Sequence, residues 1–178
     1  QAGLEARSGW LTSPVMGGQS WLAHGALASG LDVSDQTRYR ALLTSPRKTL
    51  FTLAQDAGYQ SVAVAPAIVM PWPEGPQLGF ETMLAAADLG YAGLPYNWVT
   101  MPDQYTLSAY DRLAPPGAPR ITEIALISSH APWTPVAKMV PWEAIGDGSI
   151  FDAQAVAGPT PGEVWANRDS PFFMAVAL

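Results

Sequence analysis

The segment 45-SPRKTLFTLAQDAGYQSVAVA-65 contains the pattern that decides the fold. It opens with Ser45-Pro46, which is typical of a helix N-cap followed by proline at the first helical position. Apolar residues between Leu50 and Ala57 continue one helical face, and Gly58 is a typical helix stop. The residues Gln60–Ala65 then alternate and are rich in β-forming types, which predicts a strand. A helix, a glycine and a strand in this order predict one repeat of a parallel α/β sheet.

A second strand and two further elements extend this pattern. Ile121–Ser128 (ITEIALIS) is mostly apolar, as expected of a buried parallel strand. A helix is predicted over Gln104–Leu113, beginning at Pro102 or Asp103, whereas Phe80–Ala87 fits either a helix or a strand. The predicted fold class is therefore α/β, with a mainly parallel sheet that is flanked by helices and includes both strands.

The remaining stretches are predicted to be mainly connections. Asp32–Tyr39 is polar and loop-like, and Val136–Phe151 is a loop with a turn at Gly146-Asp147-Gly148. Near the C-terminus, Pro161–Asn167 fits a short helix and Pro171–Leu178 (PFFMAVAL) fits a strand. Because the chain does not begin with methionine and ends inside this apolar strand, we expect a fragment or processed product of a larger protein.

Composition restricts the class of protein. A length of 178 residues fits one domain with a sizeable core. The chain is 48% hydrophobic and 13% charged, which excludes a disordered protein. A net charge of −6 without a basic cluster indicates no nucleic-acid partner. The absence of cysteine excludes disulfides and thiolate metal sites, and neither an apolar run long enough to span a bilayer nor a signal peptide is visible.

The segment 17-GGQSWLAH-24 places a hydroxyl where a helix is predicted to begin. Its glycines allow a tight turn and a close approach to a ligand, and Ser20 opens a helical run, Trp21–Leu31. A serine at a helix N-terminus lies among unpaired backbone N–H groups at the positive end of the helix dipole, which favours anion binding. The alternative is that Ser20 is only an N-cap. His24 follows one turn later on the same face, where a packed or surface role is commoner.

Two groups of residues follow the predicted strands, where parallel α/β sheets bind ligands. Trp72 and Glu74 come after the first strand and are candidates for lining a pocket, although packing within the loop is the commoner role. His130 comes after the second strand, within 128-SSHAPW-133. Its position alone is compatible with a site residue or a loop residue. Because helix N-termini and strand C-termini share one edge of a parallel sheet, Ser20 and His130 are expected to share a cleft.

Common nucleophile motifs are absent around Ser20. The pattern Gly-x-Ser-x-Gly of serine hydrolases is replaced by Gly18-Gln19-Ser20-Trp21-Leu22. The P-loop pattern with its Gly-Lys-Ser/Thr is also missing. A serine activated by divalent metal remains, because such ions lower the pKa of a hydroxyl and hold an anion for in-line displacement.

Three segments resemble sulfatase-like membrane proteins of the alkaline phosphatase superfamily. They are Gly17–Gly30 (GGQSWLAHGALASG), Phe80–Leu107 with its motif 97-NWVTMPDQY-105, and 128-SSHAPW-133. The resemblance implies a three-layer α/β/α fold, present here incompletely. It implies that residues 1–178 form a single α/β domain, which is the middle of a larger catalytic domain.

The resemblance also implies roles for individual residues. Ser20 is the expected nucleophile, and His130 is expected to face the phosphate or sulfate and its leaving group. The residues His24, Gly18, Gln19 and Trp133 are expected to bind substrate. In true sulfatases the nucleophile is followed by x-Pro-x-Arg, which directs conversion to formylglycine. The sequence after Ser20 is WLAH, so we expect an unmodified serine and phosphoryl or phosphoglycerol-type transfer in preference to sulfate-ester hydrolysis.

The metal ligands implied by the resemblance are missing from the sequence. The family uses acidic ligands before the nucleophile and an Asp-His pair near the end of the domain. Here Glu5 is the only acid before Ser20, and no Asp-His pair follows His130. The residues Asp147, Asp152 and Asp169 are interpreted as turn or cap residues. A divalent metal (Zn, Mn, Mg or Ca) is therefore expected in the complete domain, and weak or no binding by this chain.

Partner and location are also inferred from the resemblance. The expected substrate is an anionic phosphoester or sulfate ester. The parent protein is expected to be membrane-anchored, with this domain extracytoplasmic, either periplasmic or at the cell surface. Two alternatives stay open: a non-catalytic α/β module that binds an anion or a partner protein through its aromatic loops, and a cytoplasmic α/β enzyme of unrelated chemistry.

Overall fold

The structure, a computed structural model, describes residues 5–9, 11–16, 19–95, 100–114, 116–117, 119–128 and 136–155. The chain divides into two compact units, Gln1–Leu50 and Phe51–Leu178. The predicted helix at Pro161–Asn167 and strand at Pro171–Leu178 lie outside the described residues. The prediction of a single domain over residues 1–178 stays a prediction.

The first unit contains two helices, α1 (Ser20–Ser29) and α2 (Gln36–Thr44). Helix α1 begins at Ser20, as predicted, and ends at Gly30, whose φ of 66° favours glycine. The two helices approach closely at Gly25, where an added Cβ would lie 3.1 Å from the ring of Tyr39 on α2. The small residue therefore permits this helix contact.

Helix α2 corrects two predictions. The prediction of a loop over Asp32–Tyr39 is wrong from Gln36 onward, because Asp35 acts as an N-cap and accepts a hydrogen bond of 2.9 Å from the Arg38 N–H. The prediction that Ser45 is an N-cap is also wrong. Ser45 ends α2, and its hydroxyl donates to the Leu42 carbonyl at 2.8 Å. The next helix, α3 (Leu50–Asp56), begins later than predicted.

The described part of the second unit contains a three-stranded sheet. Its strands are β1 (Gln60–Ala65), β2 (Thr82–Ala85) and β3 (Arg120–Ile124), in the order β2-β1-β3. Both neighbours pair parallel to β1, with Val62 opposite Thr82 on one side and Thr122 on the other. The prediction of a parallel sheet that contains the two strand segments is confirmed. The segment Phe80–Ala87, for which either a helix or a strand was compatible with the sequence, contains strand β2.

The second predicted strand is shorter than expected. Strand β3 stops at Ile124, and only the Ala125 N–H continues the pairing, by donating to the Val64 carbonyl at 2.9 Å. The backbone N–H groups of Ile127 and Ser128 instead donate to a carboxylate outside the sheet, that of Asp103. The prediction of a strand as far as Ser128 is therefore wrong at its C-terminal end.

The core of the second unit lies between the central strand and helix α4 (Asp103–Leu113), which begins where the sequence predicts. Val62 and Val64 of β1 are buried in the same cluster as Tyr105 and Ala109 of α4. Strand β1 has a strand on each side, which explains why five of its six residues are buried. None of the described helices has the length and apolar character to cross a bilayer.

The segment 136–155 contains two short 3₁₀ helices, Trp142–Ala144 and Ser149–Gln154, so the prediction of a loop over Val136–Phe151 is wrong in part. The Gln104 side chain ties the segment to α4, because its amide donates to the Val140 carbonyl at 2.7 Å and accepts from the Val140 N–H at 3.0 Å. The segment is thus fixed to the core by side-chain bonds to the backbone.

The predicted turn at Gly146-Asp147-Gly148 is confirmed. The Ser149 backbone N–H and hydroxyl both donate to the Asp147 carboxylate, at 3.1 and 2.8 Å, and lower the pKa of this carboxyl. Because folding lowers the pKa, the stabilising effect is present above the ordinary carboxyl range and is lost as the pH falls.

We expect Tyr105→Phe to destabilise the second unit by about 1–3 kcal/mol, because the Leu89 carbonyl would lose its buried donor. Tyr105 is fully buried, and its hydroxyl donates to that carbonyl at 2.9 Å. Urea unfolding followed by circular dichroism measures the change. The control Tyr59→Phe alters a tyrosine that is 43% exposed and should change stability by less than about 0.5 kcal/mol. Equal effects of the two substitutions would contradict the prediction.

Candidate functional site

Ser20 is the first residue of α1 and is exposed. The N-cap is Gln19, and no side chain caps the helix, so the alternative that Ser20 is an N-cap is wrong. The Ser20 hydroxyl makes no hydrogen bond with the residues that the structure describes. The Leu22 backbone N–H donates to the Gln19 carbonyl at 3.1 Å. Because Ser20 is exposed, its hydroxyl is accessible beside the positive end of the helix dipole.

His24 lines the same cleft as Ser20, as the four-residue spacing predicts. We name this the serine cleft. It has a volume of about 520 Å³, and its walls are residues 11–14 and the exposed side of α1 as far as Leu31. Ser20 and His24 supply polar atoms at one end, while Leu27 and Leu31 make the other end apolar. The cleft thus combines a hydroxyl, an imidazole and a helix N-terminus within one unit.

A second cleft, of about 430 Å³, lies beside the carboxyl ends of β1 and β2 in the second unit. Trp72 lines it, as predicted, and packs on Phe80 with ring centroids 5.8 Å apart. Among the described residues, Glu74 does not line it and Asp88 is the only charged residue of its walls. We name this mainly apolar space the tryptophan cleft.

His130 follows β3 in the sequence and lies outside the described residues, together with Gly18 and Trp133. Their predicted roles, and the prediction that Ser20 shares a cleft with His130, therefore stay predictions. The last described residue before His130 is Ser128. Its backbone N–H donates to Asp103 at 3.2 Å, and its hydroxyl donates to the other oxygen of the same carboxylate.

Comparison with known proteins does not identify the chain. It matches no protein-family model, no curated protein and no solved structure. The resemblance to sulfatase-like proteins therefore remains a hypothesis based on the three sequence segments.

The described acids and histidines form no metal site, because no three such side chains converge closely enough to hold a metal ion. Glu5 is exposed and pairs with Arg7 at 3.8 Å. Asp152 accepts the Leu94 N–H at 2.6 Å, and Asp147 is bonded within its turn. Asp147 is therefore a turn residue, as the sequence indicates, whereas Asp152 lies within the 3₁₀ helix Ser149–Gln154 and is neither a turn nor a cap residue.

The sequence did not predict the long-range contacts of the Asp103 carboxylate. A carboxylate after proline at a helix start is a known N-terminal signal, and it predicted the beginning of α4 correctly. The same signal does not reveal that the carboxylate contacts Ile127 and Ser128, which are 24 and 25 positions away.

Proposed function

We propose that this chain carries the nucleophile of a metal-dependent phosphoester hydrolase or phosphotransferase of the alkaline-phosphatase-like type. The observation that supports the proposal most strongly is the serine cleft. Ser20 presents an exposed hydroxyl at a helix N-terminus, and His24 lines the same space. A hydroxyl at the positive end of a helix dipole suits attack on an anion, because negative charge is stabilised there.

In this proposal the Ser20 hydroxyl releases its proton to solvent, Ser20 Oγ attacks phosphorus and forms an O–P bond, and the bond from phosphorus to the alcohol oxygen breaks. His130 protonates the departing oxygen, and His24 hydrogen-bonds a non-bridging oxygen of the phosphate. Water hydrolyses the resulting phosphoserine, or an acceptor alcohol takes the phosphoryl group. A sulfate ester could react in the same way, but the sequence WLAH after Ser20 favours phosphoesters.

The implied divalent metal (Zn, Mn, Mg or Ca) lacks a ligand set among the described residues. No described residue is therefore assigned to this metal. The parallel sheet with helices in the second unit is compatible with part of a three-layer α/β/α domain. The resemblance further suggests a membrane-anchored parent protein with this domain on the periplasmic side or at the cell surface.

The alternative function is a non-catalytic module that binds a partner or an anion through its aromatic loops. The tryptophan cleft favours it, because Trp72 is held against Phe80 and Met70 is 74% exposed at the same cleft. Exposed apolar groups beside a concave surface are typical of binding sites.

Metal titration and turnover distinguish the two functions. We expect calorimetric titration of this chain with Mn²⁺ or Zn²⁺ to give weak or no binding, because few carboxylates and imidazoles converge. We expect the complete protein, loaded with metal, to hydrolyse aryl phosphates or phosphodiesters faster than sulfate esters. Chelation with EDTA is the control. Tight stoichiometric binding by this chain would contradict the first expectation, and a metal-loaded protein without turnover would favour the binding module.

A further inference from the structure

We propose that Asp103 is a positioning residue that holds the start of the segment carrying His130. The carboxylate lies at the first residue of α4 and binds three donors from the chain after β3. One oxygen accepts the backbone N–H groups of Ile127 and Ser128, at 3.3 and 3.2 Å. The other accepts the Ser128 hydroxyl. The functional part of this inference rests on the proposed role of His130.

The direction of this carboxylate is unusual for its position. An acid in the first turn of a helix is stabilised by the helix dipole, and an N-cap side chain usually accepts N–H groups of its own helix. Here the N-cap is Pro102, and no side chain caps α4. The bonds of Asp103 go instead to a segment that has just left the sheet. They replace the pairing that β3 loses after Ala125.

Helix α4 provides a fixed base for Asp103. Tyr105 and Thr106 are fully buried, and Gln104 binds both backbone groups of Val140. A side chain on a helix anchored in this way can fix its partners more closely than one on a loop. The Ile127–Ser128 backbone is therefore tied to the core at the point where it leaves the sheet.

His130 follows Ser128 by two residues. Two residues of chain span at most about 7 Å, so Ser128 is the fixed point from which the proposal has Asp103 act on His130. Misplacement of a catalytic group by 1 Å can cost about 100-fold in rate. Loss of the Asp103 bonds should therefore slow the chemical step, whereas substrate binding, which depends on other residues, should change little.

Three variants separate the bonds. Asp103→Ala removes all three, and Ser128→Ala removes only the hydroxyl bond. Asp103→Asn retains an oxygen for the two backbone N–H groups and offers an amide N–H to the Ser128 hydroxyl, so it should rescue most of the function. The matched control is Asp111→Ala, which removes an exposed carboxylate from the same helix.

Two measurements test the proposal. Amide hydrogen exchange at Ile127 and Ser128, measured on this chain, should be faster in Asp103→Ala and near normal in Asp103→Asn and Asp111→Ala. In the complete protein, Asp103→Ala should lower kcat by about 10- to 100-fold with KM almost unchanged. Ser128→Ala should have a smaller effect, and Asp103→Asn should recover most of kcat.

The outcomes separate this inference from the proposed function. Unchanged exchange in Asp103→Ala would overturn the positioning role, whatever the activity. Faster exchange with unchanged kcat would mean that Asp103 holds the backbone without affecting catalysis, and this result would also overturn the proposal. If the wild-type complete protein turns over no phosphoester, the proposed function fails. In that case the pattern of exchange, lost in Asp103→Ala and rescued in Asp103→Asn, still decides whether Asp103 holds the segment.

Discussion

Ser20→Ala should abolish phosphoester turnover in the complete protein, with kcat reduced by about 10⁴-fold or more, as for the loss of other serine nucleophiles. The substitution removes the attacking oxygen. It should leave the fold intact, because Ser20 is exposed and does not cap α1. Alanine is also the most favourable residue inside a helix. The loss of activity would therefore report chemistry and not unfolding.

The measurement is turnover of an aryl phosphate together with intact-mass detection of a phosphorylated protein. The matched control is Ser13→Ala, because Ser13 lines the same cleft but its hydroxyl donates to the Val15 carbonyl at 3.1 Å. This control should retain both turnover and the covalent intermediate. Near-normal activity of Ser20→Ala would eliminate Ser20 as the nucleophile and would favour the non-catalytic alternative.

The parts of the fold that the sequence predicted well have strong local signals. Strand β1 was predicted to the residue, because a continuous β-forming run follows Gly58, whose φ of 85° ends the preceding turn. The start of α4 follows from Pro102 and Asp103, which fix a helix N-terminus. In both places the local chemistry and the tertiary structure favour the same conformation.

The parts that were missed depend on tertiary contacts. Helix α2 buries only Tyr39 and Leu42. Two apolar positions are too few to give its sequence a clear helical periodicity. Its stability depends on the Asp35 cap and on the close contact of Tyr39 with Gly25. A pattern search along the sequence cannot detect a helix whose apolar face is so narrow.

The candidate site shows the same division. The shared face of Ser20 and His24 follows from the helical repeat, because residues four positions apart are neighbours on a helix. The bonds of Asp103 to Ile127 and Ser128 do not follow from any local repeat. Strand β3 ends at Ile124, which is opposite Val64, because the central strand β1 itself ends one residue later, at Ala65. The local apolar pattern ITEIALIS does not show where the neighbouring strand ends.

His130→Ala should lower kcat by about 10²–10⁴-fold, which is the usual contribution of a general acid. The chain has two histidines, so His24→Ala is the natural comparison. If His24 only hydrogen-bonds the bound anion, its loss should raise KM by about 10-fold or more and leave kcat less affected. The same substitution, histidine to alanine, would then raise KM at one position and lower kcat at the other, which distinguishes substrate binding from the chemical step.

The choice of leaving group makes this test sharper. A nitrophenolate departs without protonation, so a nitrophenyl ester should be hydrolysed almost as fast by His130→Ala as by the wild type. An alkyl phosphoester needs a proton on its departing oxygen and should show the full loss. His24→Ala should affect both esters equally, because a non-bridging oxygen is common to them. Equal losses for the two esters in His130→Ala would contradict the proposed role of His130 at the leaving group.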